Sequence, residues 1–231
     1  MKDRRDFLKL LATATGAVVV APSLTSCHRS PGGPGGHPEK VNGPGVRLAE
    51  DGLLKIPLER PVDWDPIAFN KIRGNQGAIP KSYLPDINGE DGVPKHLGKH
   101  LPYRPRIDVK LVPEGFLAIM WGNPDRGWAR HPQSPKGSED YPRGHWYDWI
   151  RVRRATRGEA EEVESRYSSW PESREGDSGL FVASDGGNLE ADGGRNTVYL
   201  VKLPEDLVSG DTLRIDAHCL YHGEYVDFVD V

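Results

Sequence analysis

Polar and apolar residues alternate along much of the second half of the chain. Residues 106–112 (Arg-Ile-Asp-Val-Lys-Leu-Val) follow a period of two, the pattern of a half-buried strand. Residues 116–121 are a short apolar run, which predicts a buried strand, and residues 146–152 predict another. Residues 196–203 are rich in β-branched side chains, residues 211–217 alternate again, and residues 224–231 close the series. Turn residues cluster between these runs, at 113–115, 123–127 and 209–211. Short strands punctuated by turns predict an all-β fold, an antiparallel sandwich. Residues 157–166 predict a short charged helix with a solvated face. Residues 184–195 predict an exposed loop that lacks the spaced acidic ligands of an EF-hand. Residues 46–94 read as an irregular N-terminal extension with two short strands and no evident chemistry.

Composition sharpens this picture. With 36% hydrophobic residues, 27 glycines and 20 prolines, the 231-residue chain predicts many loops and few long helices. A net charge of −4 argues for no nucleic-acid partner. The only cysteines, Cys27 and Cys219, are too few for a disulfide framework or a four-thiolate metal centre.

The N-terminus reads as an address. Arg4-Arg5 followed by Phe7-Leu8-Lys9 looks like a twin-arginine export signal, and the mildly apolar run at 10–21 has the length of a signal core rather than a spanning helix. Leu24-Thr25-Ser26-Cys27 resembles a lipobox, so residues 1–27 are expected to be the signal, with lipid carried on Cys27. His28 stands where a retention signal would place Asp, which favours the outer membrane. The expected location is therefore periplasmic and lipid-anchored, after passage through the twin-arginine machinery. Residues 28–45 are a Gly/Pro-rich tether.

Six of the eight histidines fall after residue 90, together with Cys219. Cys219-Leu220-Tyr221-His222-Gly223 follows a predicted strand, so thiol and imidazole can share one metal at the turn. Sulfur with imidazole suits iron, zinc or copper and not calcium or magnesium. The plain alternative is a buried thiol beside a surface histidine. A lone thiol in an oxidising compartment is nevertheless a liability unless it is ligated or buried. His145 enters an aromatic strand, His131-Pro132 stands upstream of the same loop, and Lys99-His100-Leu101-Pro102 precedes another strand. Each of these also reads as an ordinary loop or turn.

Taken in order, these elements resemble the iron domain of superoxide reductases and desulfoferrodoxins. That family has a Lys-His-x-Pro element, then His-Pro and a later His before an aromatic strand ending Trp-Ile, then Cys-x-x-His-Gly near its C-terminus. The resemblance covers roughly residues 95–231 and implies an immunoglobulin-like β-sandwich. It implies one mononuclear non-haem iron held by His100, His131, His145, His222 and an axial Cys219. Lys99 would attract superoxide and help deliver a proton, and an external electron donor would re-reduce the iron. A thiolate opposite an open position pushes electron density toward a bound oxidant.

Two features depart from the family. Gly98 stands where many members carry Glu, and the loop between His131 and His145 is longer than the family's. His96 and His218 are spare histidines; His218 should alternate away from Cys219 on a strand, as a surface or supporting residue. No cysteine-rich second iron domain is present. The alternatives are a metal-binding or electron-transfer lipoprotein of the same fold with little superoxide turnover, and a structural lipoprotein that holds no metal. The sequence leaves the oligomeric state open, a homo-oligomer included.

Overall fold

The structure, a computed structural model, describes residues 52–89 and 96–231. The export signal, Cys27, the tether and the start of the extension lie outside the described residues. Leu48–Val231 form one compact unit. Among the described residues, eight strands make two antiparallel four-stranded sheets. The first sheet has the order β1-β2-β6-β5, formed by Pro102–Tyr103, Phe116–Trp121, Thr197–Lys202 and Leu180–Ala183. The second has the order β4-β3-β7-β8, formed by Glu162–Arg166, Tyr147–Arg154, Thr212–Cys219 and Gly223–Asp230. The expected all-β antiparallel sandwich is what the chain adopts. Among the described residues no helix is long and apolar enough to cross a membrane.

The core lies between the sheets. β7 contributes Leu213, Ile215, Ala217 and Cys219, every second residue, as strand geometry requires. Leu117, Ile119 and Trp121 of β2, Ile150 and Val152 of β3, and Tyr199 and Val201 of β6 pack against them, with Tyr147, Tyr167 and Val229 among the others. Burying aliphatic and aromatic side chains of this size contributes roughly 1.5–3 kcal/mol each. The same parity places Cys219 inside and His218 outside. His218 stacks on Trp149 and meets Asp148 at 2.5 Å, half-buried on the outer face, in keeping with the sequence reading.

Three segments differ from expectation. The alternation at 106–112 forms no strand. Asp108 accepts the Lys110 N–H at 3.0 Å and caps a 3-10 turn, Val109–Leu111, leaving Val109 81% exposed. Ile107 and Val112 instead pack on the outer face of the first sheet, against the cluster of Ala118, Met120, Val198 and Leu200. Two-residue alternation was thus a record of packing, not of strand pairing.

Residues 157–166 are no helix. Their second half is β4, paired with β3, where Glu164 meets Arg151 across the strands at 2.8 Å. Cross-strand ion pairs of this kind account for charges that suggested a helical face.

Among its described residues, the extension is helical rather than stranded. Asp65 caps the helix Pro66–Arg73, accepting from Ile67 N at 2.9 Å and Ala68 N at 3.0 Å, with proline in its first turn. Asn70 then clasps the free edge of β8, donating to Val226 O and accepting from Val226 N. The amide so satisfies backbone groups that an edge strand leaves bare. A π-helical turn, Gly74–Ala78, and the short helix Leu84–Asn88 follow. Ile79, Tyr83, Ile87 and Leu97 form a second small core with Tyr225 of β8.

Candidate metal centre

The centre sits where one end of the second sheet meets the extension. Cys219 ends β7, and His222 occupies the turn into β8, its N–H donating to Cys219 O at 3.2 Å. Gly223 follows with φ +84°, a left-handed conformation that suits glycine. His131 is fixed by its N–H to Trp121 O at the end of β2. His145 pairs with Ser134 through two backbone hydrogen bonds of 2.9 Å, which pin the two ends of the long loop together. His100 closes the 3-10 turn Gly98–His100 ahead of β1. A bulge between Tyr147 and Trp149 sets Tyr147 opposite Cys219.

His131, His145, Cys219 and His222 are all buried, and one ligand atom from each lies within 4.8 Å of the others. Cys219 Sγ is 3.6 Å from His131 Nε2 and 3.7 Å from His222 Nδ1. His145 Nε2 is 3.1 Å from His222 Nδ1. His100 joins from the side, with Nε2 at 2.8 Å from His222 Nδ1 and its ring 4.8 Å from that of His131. His96 stays apart, its Nδ1 3.3 Å from the Tyr83 hydroxyl.

The donor set fits a cation. His100 Nδ1 donates to His96 O at 2.7 Å, which leaves Nε2 as a lone pair. His222 Nδ1 faces that lone pair and also His145 Nε2. Gln133 Nε2 donates to His131 Nδ1 at 3.1 Å, so the metal-free His131 carries its proton on Nε2, toward Cys219, and an ion would have to displace it. His131, His145, Cys219 and His222 could together hold a metal ion.

Electrostatics agree. Burial, then neighbouring imidazoles and Lys99, push His100 and His131 well below the usual histidine range. Burial takes His145 to about 3, with Lys99 adding to the effect, and His222 to about 2, with His145 and Lys99 adding to it. Burial also pushes the Cys219 thiol up to about 12, against backbone N–H groups of Tyr221 and His222 that favour the thiolate. The metal-free centre is therefore four neutral imidazoles and a neutral thiol at pH 7. Metal ligation must displace the thiol proton. Between pH 6 and 9 the imidazoles do not titrate, so one proton leaves per metal, and apparent affinity rises about tenfold per pH unit. Chelator competition at several pH values measures this slope, and a flat profile would remove Cys219 from the ligands.

Lys99 is half-buried beside His100, and its charge reaches all four histidines and Cys219. Gly98 has a packing reason: a Cβ there would lie 2.7 Å from the Trp128 ring. Sequence reasoning missed the aromatic shell. His100 stacks on Tyr225 at 4.5 Å, and His131 lies 4.9 Å from Tyr147. His145 stacks on Tyr141 at 4.3 Å, and His222 lies 4.1 Å from Tyr83. Gln133 was also missed; it touches His131 Nδ1 at 3.1 Å and accepts from the Tyr199 hydroxyl at 2.7 Å. Only Tyr225 and Tyr147 carried a local signal, through their parity on predicted strands.

Fold and site together define an antiparallel β-sandwich with a buried histidine and cysteine cluster that could hold a metal ion. No family model, curated protein or solved structure matches the chain.

Proposed function

We propose that this chain is a mononuclear iron protein that reduces superoxide to hydrogen peroxide, drawing its electron from an external donor. One observation carries the reading. Five residues named from three separate motifs, and drawn from four stretches of chain, meet with nitrogen and sulfur donors turned inward.

His100, His131, His145, His222 and Cys219 would hold the iron, which supplies the one-electron couple when bound. Cys219 brings a single negative charge into a buried pocket, and the four imidazoles remain neutral there. Lys99 draws the anionic substrate toward the cluster and holds a proton beside it. The overall balance is one superoxide, one electron and two protons to one hydrogen peroxide. Charge steering of a small anion depends on ionic strength. Lys99→Ala is therefore expected to lower the second-order rate with superoxide by about tenfold at low salt and to flatten its salt dependence. Pulse radiolysis or stopped-flow mixing measures both, and an unchanged rate removes Lys99 from the mechanism.

A second reading keeps the metal but assigns electron transfer, with little superoxide turnover. It is favoured by the depth of the ligands, the most exposed of which, His222, is 5% accessible, and by Gly98 in place of the family's Glu. Rapid oxidation of the reduced protein by superoxide separates the two. The N-terminal address belongs to the same proposal: export through the twin-arginine machinery, lipid on Cys27, and a membrane-anchored periplasmic protein.

A further inference from the structure

Each of the four histidines packs against its own tyrosine, and the four tyrosines have two origins. Tyr147 and Tyr225 stand on β3 and β8, inside the sandwich. Tyr83 comes from the helical extension and Tyr141 from the long loop between His131 and His145. Neither of those segments belongs to the motifs that mark the ligands.

Both outer rings are held in place. The Tyr83 hydroxyl meets His96 Nδ1 at 3.3 Å, and its N–H donates to Pro80 O at 2.9 Å. Tyr141 O accepts from Gly144 N at 2.8 Å and from the Ser138 hydroxyl at 3.1 Å, which closes the loop tip. Tyr141 also meets Tyr221 edge to face at 5.0 Å. Beneath the two outer rings His145 is 0% and His222 5% exposed.

We propose that Tyr83 and Tyr141 wall off His222 and His145, so that bulky solutes such as chelators are kept from the metal while small anions are not. Neutral rings offer a bulky hydrated anion no compensation for lost water. Lys99 offers a small anion a positive charge. This rests on the cluster holding a metal but not on which metal it is. Tyr83 and Tyr141 act here as specificity-determining residues.

The test begins on the metal-free full chain, with diethyl pyrocarbonate and mass-spectrometric mapping of each histidine. Tyr141→Ala is expected to speed modification of His145 roughly tenfold, and Tyr83→Ala that of His222, as protection by packing is lost locally. His131, which neither ring touches, keeps its slow rate and reports an intact fold. The Phe variants stay protected, because the ring and not the hydroxyl forms the wall. Leu variants repeat the experiment should Ala disturb folding. Unchanged modification of His145 and His222 in folded variants overturns the proposal.

A second arm uses cobalt(II)-loaded protein. The Ala variants are expected to lose cobalt to EDTA roughly tenfold faster, with azide affinity within about twofold of wild type. EDTA rates equal to wild type also overturn the wall. Failure of the wild-type chain to take up cobalt would count against the metal reading alone, since the first arm needs no metal.

Discussion

Cys219→Ser is expected to remove any thiolate-to-metal charge-transfer band and to weaken metal retention by at least about a hundredfold, while the sandwich stays folded. Cys219 is the only sulfur in the described cluster, and soft sulfur selects transition metals. Ser is smaller and its hydroxyl is a poor anionic ligand at neutral pH. Its cost to folding is modest: the side chain is buried at the rim of the core, so the loss is about 1–2 kcal/mol, well below typical domain stability. Absorption, metal analysis and thermal melting on one preparation check all three points. An unchanged spectrum would take Cys219 out of the ligand set.

Gly223→Ala is expected to act through the backbone. Gly223 has φ +84°, and a Cβ there would lie 2.3 Å from Ala78 O, 3.0 Å from Ile79 Cα and 3.0 Å from Pro80 Cδ. The left-handed conformation costs an alanine roughly 1–2 kcal/mol, and the overlap adds more because its neighbours are backbone. A loss of about 3 kcal/mol is expected, or roughly 6–12 °C in Tm. Gly210→Ala is the internal control. Its φ is +94° but a Cβ there meets nothing within 4 Å, so only the conformational cost remains. The strained segment leads directly to Tyr83, so Gly223→Ala should also loosen the ring over His222. Equal melting points for the two variants would show that the extension yields without cost.

The difference between these two substitutions marks what the sequence revealed. Cys219 was legible because strand parity is local: Leu213, Ile215, Ala217 and Cys219 alternate along β7, and the chain keeps that register. His100, His131 and His145 were legible through short motifs whose neighbours, Pro102, Pro132 and the aromatic strand, fix the backbone around them. Tyr83 was not legible. Nothing within a few residues of it points to His222, which it meets at 4.1 Å across the sequence. Its position depends on Asn70 clasping Val226 and on the close approach of Ala78 to Gly223, both tertiary events.

The segment at 106–112 shows the opposite error. Its alternation was real, and Ile107 and Val112 do face a sheet, yet Asp108 diverts the backbone into a turn before pairing can occur. Charge likewise misled at 157–166, where Glu164 answers Arg151 on the neighbouring β3 and Glu162 answers Arg214 on β7, one strand further, instead of a helical partner. A pattern of polarity records which side faces a core; the hydrogen-bond partner decides the element.

The most direct test is metal analysis with a visible spectrum of the oxidised, purified chain. The account predicts about one iron per chain and a thiolate-to-iron absorption band. A protein free of stoichiometric metal, or one holding zinc with no visible band, would contradict it.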